Sequence, residues 1–195
     1  MPRFDHFSWL APHYDRAFRA PDLARLDELL ALPAPGRLLD VGGGTGRISQ
    51  HLRDRAGQVI VLDESEGMLR EARAKGLPVT RAHAERLPFP DGSMDRVLMV
   101  DAFHHLADAP QALSELCRIL AAPDGDGRPG GRLVIEEPDI AGWRIKGIAL
   151  AERLLGMRSR FYRAEELVRL LGHCPVRVEV RRAGENFWVI ADREG

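Results

Sequence analysis

Short, nearly all-apolar runs alternate along the chain with segments whose apolar residues recur every three or four positions. Arg37–Val41, Gln58–Leu62, Arg96–Val100 and Arg132–Glu136 read as buried strands, with Pro78–Arg81 as a weaker one. Between them, Thr45–Arg55 carries Ile48 and Leu52 on one side, Glu64–Lys75 carries Met68, Leu69 and Ala72, and Pro110–Leu120 carries Leu113, Leu116, Cys117 and Leu120. Each of these predicts a helix. Strands too apolar to have a wet face, separated by helices, predict a parallel sheet covered on both sides.

The rhythm changes toward the C-terminus. A helix over Ala164–Leu171 is followed by Val176–Arg182, where valine alternates with charge, then by a turn at Ala183–Asn186 and an apolar run, Phe187–Ala191. A parallel crossover needs a dozen or more residues, so these last two strands must form an antiparallel hairpin. The predicted fold class is therefore α/β, with a mostly parallel seven-stranded sheet and an antiparallel C-terminal hairpin. The Gly-, Pro- and Asp-rich stretch 122–131 reads as a solvated connector.

Composition sets the remaining bounds. A length of 195 residues suits one domain, and the 45% hydrophobic and 29% charged fractions are those of ordinary globular chains. A net charge of -1 supplies no global field to attract nucleic acid or an anionic membrane. Cys117 and Cys174 fit no metal-binding spacing, and no apolar run reaches membrane-spanning length. The expectation is a cytoplasmic chain with no metal and no stable membrane insertion.

The most informative segment is Leu38–Gly46, LLDVGGGTG, which ends a strand and opens a helix. Gly42, Gly44 and Gly46 are spaced two apart, whereas a dinucleotide fingerprint needs a glycine where Arg47 stands. No Gly-Lys-Ser/Thr follows, which excludes a Walker-type phosphate loop. Glycines permit a tight turn against which a ligand can lie on bare backbone. A helix opening near Thr45 would offer N–H groups to a carboxylate. Asp40 at the strand end supplies an acceptor for a cationic amine. Asp63, closing the second strand, is placed to accept from both ribose hydroxyls.

LLDVGGGTG, VLDESEGML, AERLPFPDGSMDRVL, AFHHLAD and PGGRLVIEEP, in that order, resemble the class I S-adenosylmethionine (SAM)-dependent methyltransferases. More narrowly they resemble the type 11 group, which includes the ubiquinone/menaquinone-biosynthesis C-methyltransferases. The likeness covers Arg37–Glu137 well and both flanks more loosely. It implies a Rossmann-like sandwich with SAM as cofactor.

The same likeness implies a cofactor site built from Tyr14, Asp40, Gly42, Gly43, Gly44, Gly46, Asp63, Glu64, Met68, His83, Ala84, Glu85 and Asp101. Where the family usually has Asp-Ala-Glu, this chain has His83-Ala84-Glu85, so a histidine replaces the carboxylate expected beside the adenine amine. The fourth strand ends in Asp101-Ala102-Phe103-His104-His105, near the place where the family puts the sulfonium. His105, His104 and Asp101 are the candidate proton acceptors.

The implied organisation is an N-terminal helical lid over 1–35, a SAM-binding core over 36–137, a substrate cover over 138–162 and a C-terminal helix and hairpin over 163–195. Aromatic residues Phe4, Phe7, Trp9, Tyr14 and Phe18, with Ile140, Trp143, Ile145 and Leu154, suit a small, largely apolar acceptor such as a quinone-like or lipid-like metabolite. No Asn-Pro-Pro-Tyr motif for methylating base amino groups follows the fourth strand. The alternatives are a SAM-binding member of the fold without catalysis and a methyltransferase acting on RNA or protein.

Overall fold

A computed structural model describes residues 21–124, 127–139 and 160–195. Within them the chain runs α1 (Leu23–Leu30), β1 (Ala34–Val41), α2 (Ser49–Leu52), a 3₁₀ turn (Arg53–Arg55), β2 (Ala56–Asp63), α3 (Glu66–Ala74) and β3 (Val79–Arg81). It continues with β4 (Arg96–Val100), a second 3₁₀ turn (Phe103–His105), α4 (Ala109–Ile119), β5 (Arg132–Pro138), α5 (Ala164–Leu171), β6 (Val176–Ala183) and β7 (Asn186–Arg193).

The sheet has seven strands in the order β3-β2-β1-β4-β5-β7-β6. β1 to β5 pair in parallel, and β7 pairs antiparallel with both β5 and β6. The expected hairpin is present, and β7 inserts between β5 and β6. That placement explains the strand patterns. β7 has neighbours on both edges and Phe187–Ala191 is buried, whereas edge strand β6 keeps charged residues facing water.

Burial splits the core by sheet face. Leu39, Val97, Met99, Leu133, Ile135 and Phe187 pack beneath α4 and α5. Leu38, Val59, Leu98, Val134, Trp188 and Ile190 pack on the other face beneath Leu26, Leu29 and Leu30 of α1. Residues on one strand alternate between the two clusters, as the pleat requires. Cys117 of α4 and Cys174, far apart in sequence, meet in the first cluster, where the Cys174 thiol also lies 4.0 Å from the Leu113 carbonyl.

Three expectations change. The helix predicted over Thr45–Arg55 is α-helical only from Ser49 to Leu52 and then tightens to 3₁₀. Gly42, Gly44 and Gly46 all have positive φ, so the chain enters helical geometry only after the last of them. The helix expected from Glu64 starts at Glu66, because Ser65 caps it by accepting from the Met68 N–H at 3.5 Å. The connector over 122–131, with residues 125–126 outside the described set, is tied down at its ends. Gly131 donates to the Ala121 carbonyl at 2.7 Å, and Arg128 pairs with Asp95.

Candidate active site

In an open α/β sheet the crevice lies at the carboxyl ends of the strands, where the strand order reverses. Here β1 is followed by β2 on one side and flanked by β4 on the other, so loops leaving β1, β2 and β4 diverge around a gap. A cavity of ≈ 280 Å³ fills it. Asp40 to Thr45, Asp63, Glu64, Met68, His83 to Glu85, Asp101, Ala102 and His105 line this cavity. The fold thus gathers residues from five sequence segments.

The glycine turn is held in place by its own backbone. Gly42 and Gly43 both donate to the Leu62 carbonyl, at 2.8 and 3.2 Å, and Gly46 donates to Gly43 at 2.9 Å. Gly44 donates to Oδ2 of Asp63 at 3.0 Å, and Ser65 donates to Oδ1 at 2.8 Å. Gly42 has φ 69°, and a Cβ there would sit 2.6 Å from the Ala102 Cβ. The turn after β1 therefore touches the turn after β4, and only a glycine permits that approach. Lys75, the residue that caps the C-terminus of α3, braces the far side by donating to the Thr45 carbonyl at 2.7 Å. Since the α-helix begins at Ser49, the N–H groups nearest the cavity belong to the glycine turn rather than to a helix end at Thr45.

Asp40 is 2% exposed and accepts from the Ser49 hydroxyl at 2.6 Å. Burial pushes its carboxyl up to about 6 against the lowering effect of that hydrogen bond. A buried acceptor whose charge is poorly compensated is suited to a cationic group entering the cavity. Asp63 stands across the turn with its carboxylate already oriented. A carboxylate offers roughly four acceptor positions, the kind of group that can receive a diol.

The floor is the segment after β4. Asp101 has φ 51°, unusual for a residue with a side chain, and its N–H donates to the Glu136 carbonyl at 3.1 Å. Although the residue keeps exposed surface, partial desolvation at the cavity floor, then the carboxylates of Glu137 and Glu136, raise its carboxyl to about 6. His105 also faces the cavity. The residue keeps solvent-exposed surface, and partial desolvation on the cavity side, reinforced by the neighbouring His104, lowers its imidazole from the ordinary value. His104 is placed differently: it lines no part of the cavity and is 5% exposed, with Nδ1 2.7 Å from Oε2 of Glu137.

At the rim, the side chain of His83 is 71% exposed and its Nδ1 lies 2.9 Å from Oε2 of Glu64, a pair too wet to add much stability. Glu85 accepts from the N–H groups of Ala107 and Asp108 at 2.9 and 3.2 Å, tying the loop after β3 to the start of α4. Buried Met68 and Ala84 supply apolar surface on this side. Tyr14, the other aromatic residues before position 21, and Ile140, Trp143, Ile145 and Leu154 lie outside the described residues.

The sequence reading assigned no task to Ser49, Glu137 or Arg47, yet each belongs to the site or its support. Arg47 entered the sequence argument only as a missing glycine, and it lines the cavity. Glu137 is signalled only by an acidic pair closing an apolar strand, which does not reveal which of the two turns inward. Among the described residues no group of three or more His, Cys, Asp or Glu is arranged to hold a metal ion. No described helix is long and apolar enough to cross a membrane.

Comparison with known proteins agrees with this geometry. A model of the methyltransferase domain family matches residues 39–135. The chain is 40% identical over 146 residues to a demethylmenaquinone methyltransferase of Thermus thermophilus, covering 67% of this chain and 63% of that one. It is 33% identical over 164 residues to a malonyl-[acyl-carrier protein] O-methyltransferase of Methylococcus capsulatus, covering 76% and 56%. The chain thus spans less than two thirds of these curated relatives. A SAM-dependent methyltransferase structure from Thermotoga maritima superposes with TM-score 0.74 at 26% identity over 96% of this chain and 97% of that one. The methyltransferase solved with the Haloferax volcanii Trm112 activator shares the fold, with TM-score 0.80 at 18% identity over 98% and 99% of the two chains. The strand order, the glycine turn and the family match together show that this chain belongs to the SAM-dependent methyltransferases of the type 11 group.

Proposed function

We propose that the chain transfers a methyl group from SAM to a small, largely apolar acceptor, with a quinone-like ring as the favoured class. The observation that carries the reading is the cavity itself. It joins a glycine turn, the acceptors Asp40 and Asp63, and a floor at Asp101–His105 in one volume. That volume falls just under the roughly 300–1,000 Å³ typical of small-molecule sites.

SAM, when bound, supplies an activated methyl on a sulfonium. In the proposed assignment Asp40 faces the cationic amine, Asp63 the ribose diol, and Gly42, Gly43, Gly44 and Gly46 give close backbone approach. Met68, Ala84, Glu85, Glu64 and His83 would border the adenine, and Asp101 would lie toward the sulfonium. Tyr14 is kept as a candidate lid residue. Holding donor and acceptor in register is worth about 7–11 kcal/mol in well-oriented reactions, so positioning does most of the work. His104, His105 and Asp101 are the groups available to take a proton from the acceptor. Of these, Asp101 and His105 line the cavity, whereas His104 does not.

The quinone class is favoured by relatives named demethylmenaquinone methyltransferase and UbiE C-methyltransferase, at 40% and 35% identity. The near-zero net charge also argues against a polynucleotide acceptor. The test is transfer from methyl-labelled SAM into fractionated cell extract. Label is expected in the organic-soluble fraction, whereas label in RNA or protein, including acyl carrier protein, would overturn the acceptor assignment.

A further inference from the structure

The methionine arm of SAM ends in a zwitterion, with an ammonium and a carboxylate on one carbon. A site that takes this arm must answer both charges, because a charge left unpaired is costly once water is displaced. In the assignment above Asp40 answers the ammonium. The carboxylate is harder to place. Asp40, Asp63, Glu64, Glu85 and Asp101 all line the cavity, so five carboxylates surround the space that a sixth would enter.

The obvious backbone donors are already committed. The N–H groups of Gly42 and Gly43 go to the Leu62 carbonyl, that of Gly44 to Asp63 and that of Gly46 to the Gly43 carbonyl. The helix expected to open at Thr45 begins at Ser49 and runs only four residues, so no helix end is aimed at the cavity from Thr45. Among the described residues that line the cavity, Arg47 is the one whose side chain is permanently positive. It is half-buried, and its charge acts on both Asp40 and Asp101, opposing the rise of their carboxyls. The backbone that carries it is held on both sides. Gly46, with φ 70°, lies so close to Leu77 that a Cβ there would collide with it, and the Arg47 carbonyl accepts from Nε2 of Gln50 at 3.0 Å.

We propose that Arg47 receives the methionine carboxylate of SAM and, with Asp40, reads the two charges of the amino-acid arm. The inference rests on the function proposed above and names the residue that distinguishes SAM from adenosine ligands without that arm. A guanidinium offers a planar fork of donors that matches a carboxylate. Anchoring the arm at two charges also fixes the direction in which the sulfonium presents its methyl group.

The test is calorimetric titration of the wild type, Arg47→Gln and Arg47→Lys with two ligands. S-adenosylhomocysteine, the demethylated product, keeps the amino-acid arm; methylthioadenosine keeps the adenosine and the sulfur but lacks the arm. In Arg47→Gln, S-adenosylhomocysteine affinity should fall roughly 10- to 150-fold, the range for hydrogen bonds to a charged group, while methylthioadenosine affinity stays within about threefold. Arg47→Lys keeps the charge without the fork and should recover part of the loss. Unchanged S-adenosylhomocysteine affinity in Arg47→Gln, or no recovery with lysine, overturns the inference. Equal loss of both ligands would mark Arg47 as a support of the turn only, which also overturns it. Failure of the wild type to bind either ligand would instead overturn the functional reading, and this inference with it.

Discussion

The backbone N–H of Gly44 donates to Oδ2 of Asp63 at 3.0 Å, so the turn after β1 and the carboxylate that closes β2 form one unit. Removing that carboxylate does two things: it deletes an acceptor from the cavity and releases the turn. Asp63→Ala should weaken SAM binding by about 1.5–3 kcal/mol, roughly 10- to 150-fold, the range for hydrogen bonds involving a charged group. Calorimetric titration of the variant checks this, and unchanged affinity would remove Asp63 from the cofactor site.

Gly42 and Gly184 separate close approach from simple backbone strain. Both have positive φ, 69° and 62°, but a Cβ at Gly42 meets Ala102 at 2.6 Å while one at Gly184 meets nothing within 4 Å. Gly184→Ala should cost about 1 kcal/mol of stability and leave SAM binding intact. Gly42→Ala should cost more, and should also abolish binding by pushing the two turns apart. Denaturant melts paired with SAM titrations distinguish the two; equal loss of binding in both would contradict the proposed contact between turns.

The pH dependence follows from Asp40. Its carboxyl is raised to about 6 chiefly by burial, so in the ligand-free protein its contribution to stability is full below the unfolded value near 4 and is lost as pH rises through 6. A cation beside it reverses the preference and favours ionisation. SAM binding near pH 5.5 should therefore release protons, and affinity should fall as pH drops from 7.5 to 5. Asp101, shifted the same way but exposed to the cavity, is screened more and contributes less. Asp40→Asn should raise the ligand-free Tm at pH 8 and remove most of the proton release. Calorimetry in buffers of different ionisation heat measures it; proton uptake on binding would contradict the assignment.

The two cysteines should differ in reactivity. The hydrogen bond between them lowers Cys174 to about 7 and, together with burial, raises Cys117. Cys174 is also the less buried of the pair. Iodoacetamide at pH 7.5 should label Cys174 first and Cys117 only on unfolding. Peptide mass mapping decides this, and equal labelling rates would contradict it.

Much of the site was legible because its residues sit at strand ends, where an apolar run stops abruptly. Asp40, Asp63 and Asp101 each follow or close such a run, and the spacing of the glycines separates this turn from a dinucleotide fingerprint. The hairpin was legible because its turn is too short for a crossover. The early part of the helix after β1 was misread, since residue periodicity at Ile48 and Leu52 persists even where three positive-φ glycines delay helical geometry. Which histidine faces the cavity was not legible either. His104 and His105 are adjacent and chemically alike, and only the buried carboxylate of Glu137, 33 residues on, draws one of them inward. The insertion of β7 between β5 and β6 likewise depends on long-range pairing that a local pattern does not encode.

The central claim is that the cavity at the carboxyl ends of β1, β2 and β4 is a SAM site. Isothermal titration of the wild-type chain with SAM, and separately with NAD, tests it most directly. The account predicts saturable SAM binding in the micromolar range and no binding of NAD. Binding of NAD, or of neither ligand, would contradict it.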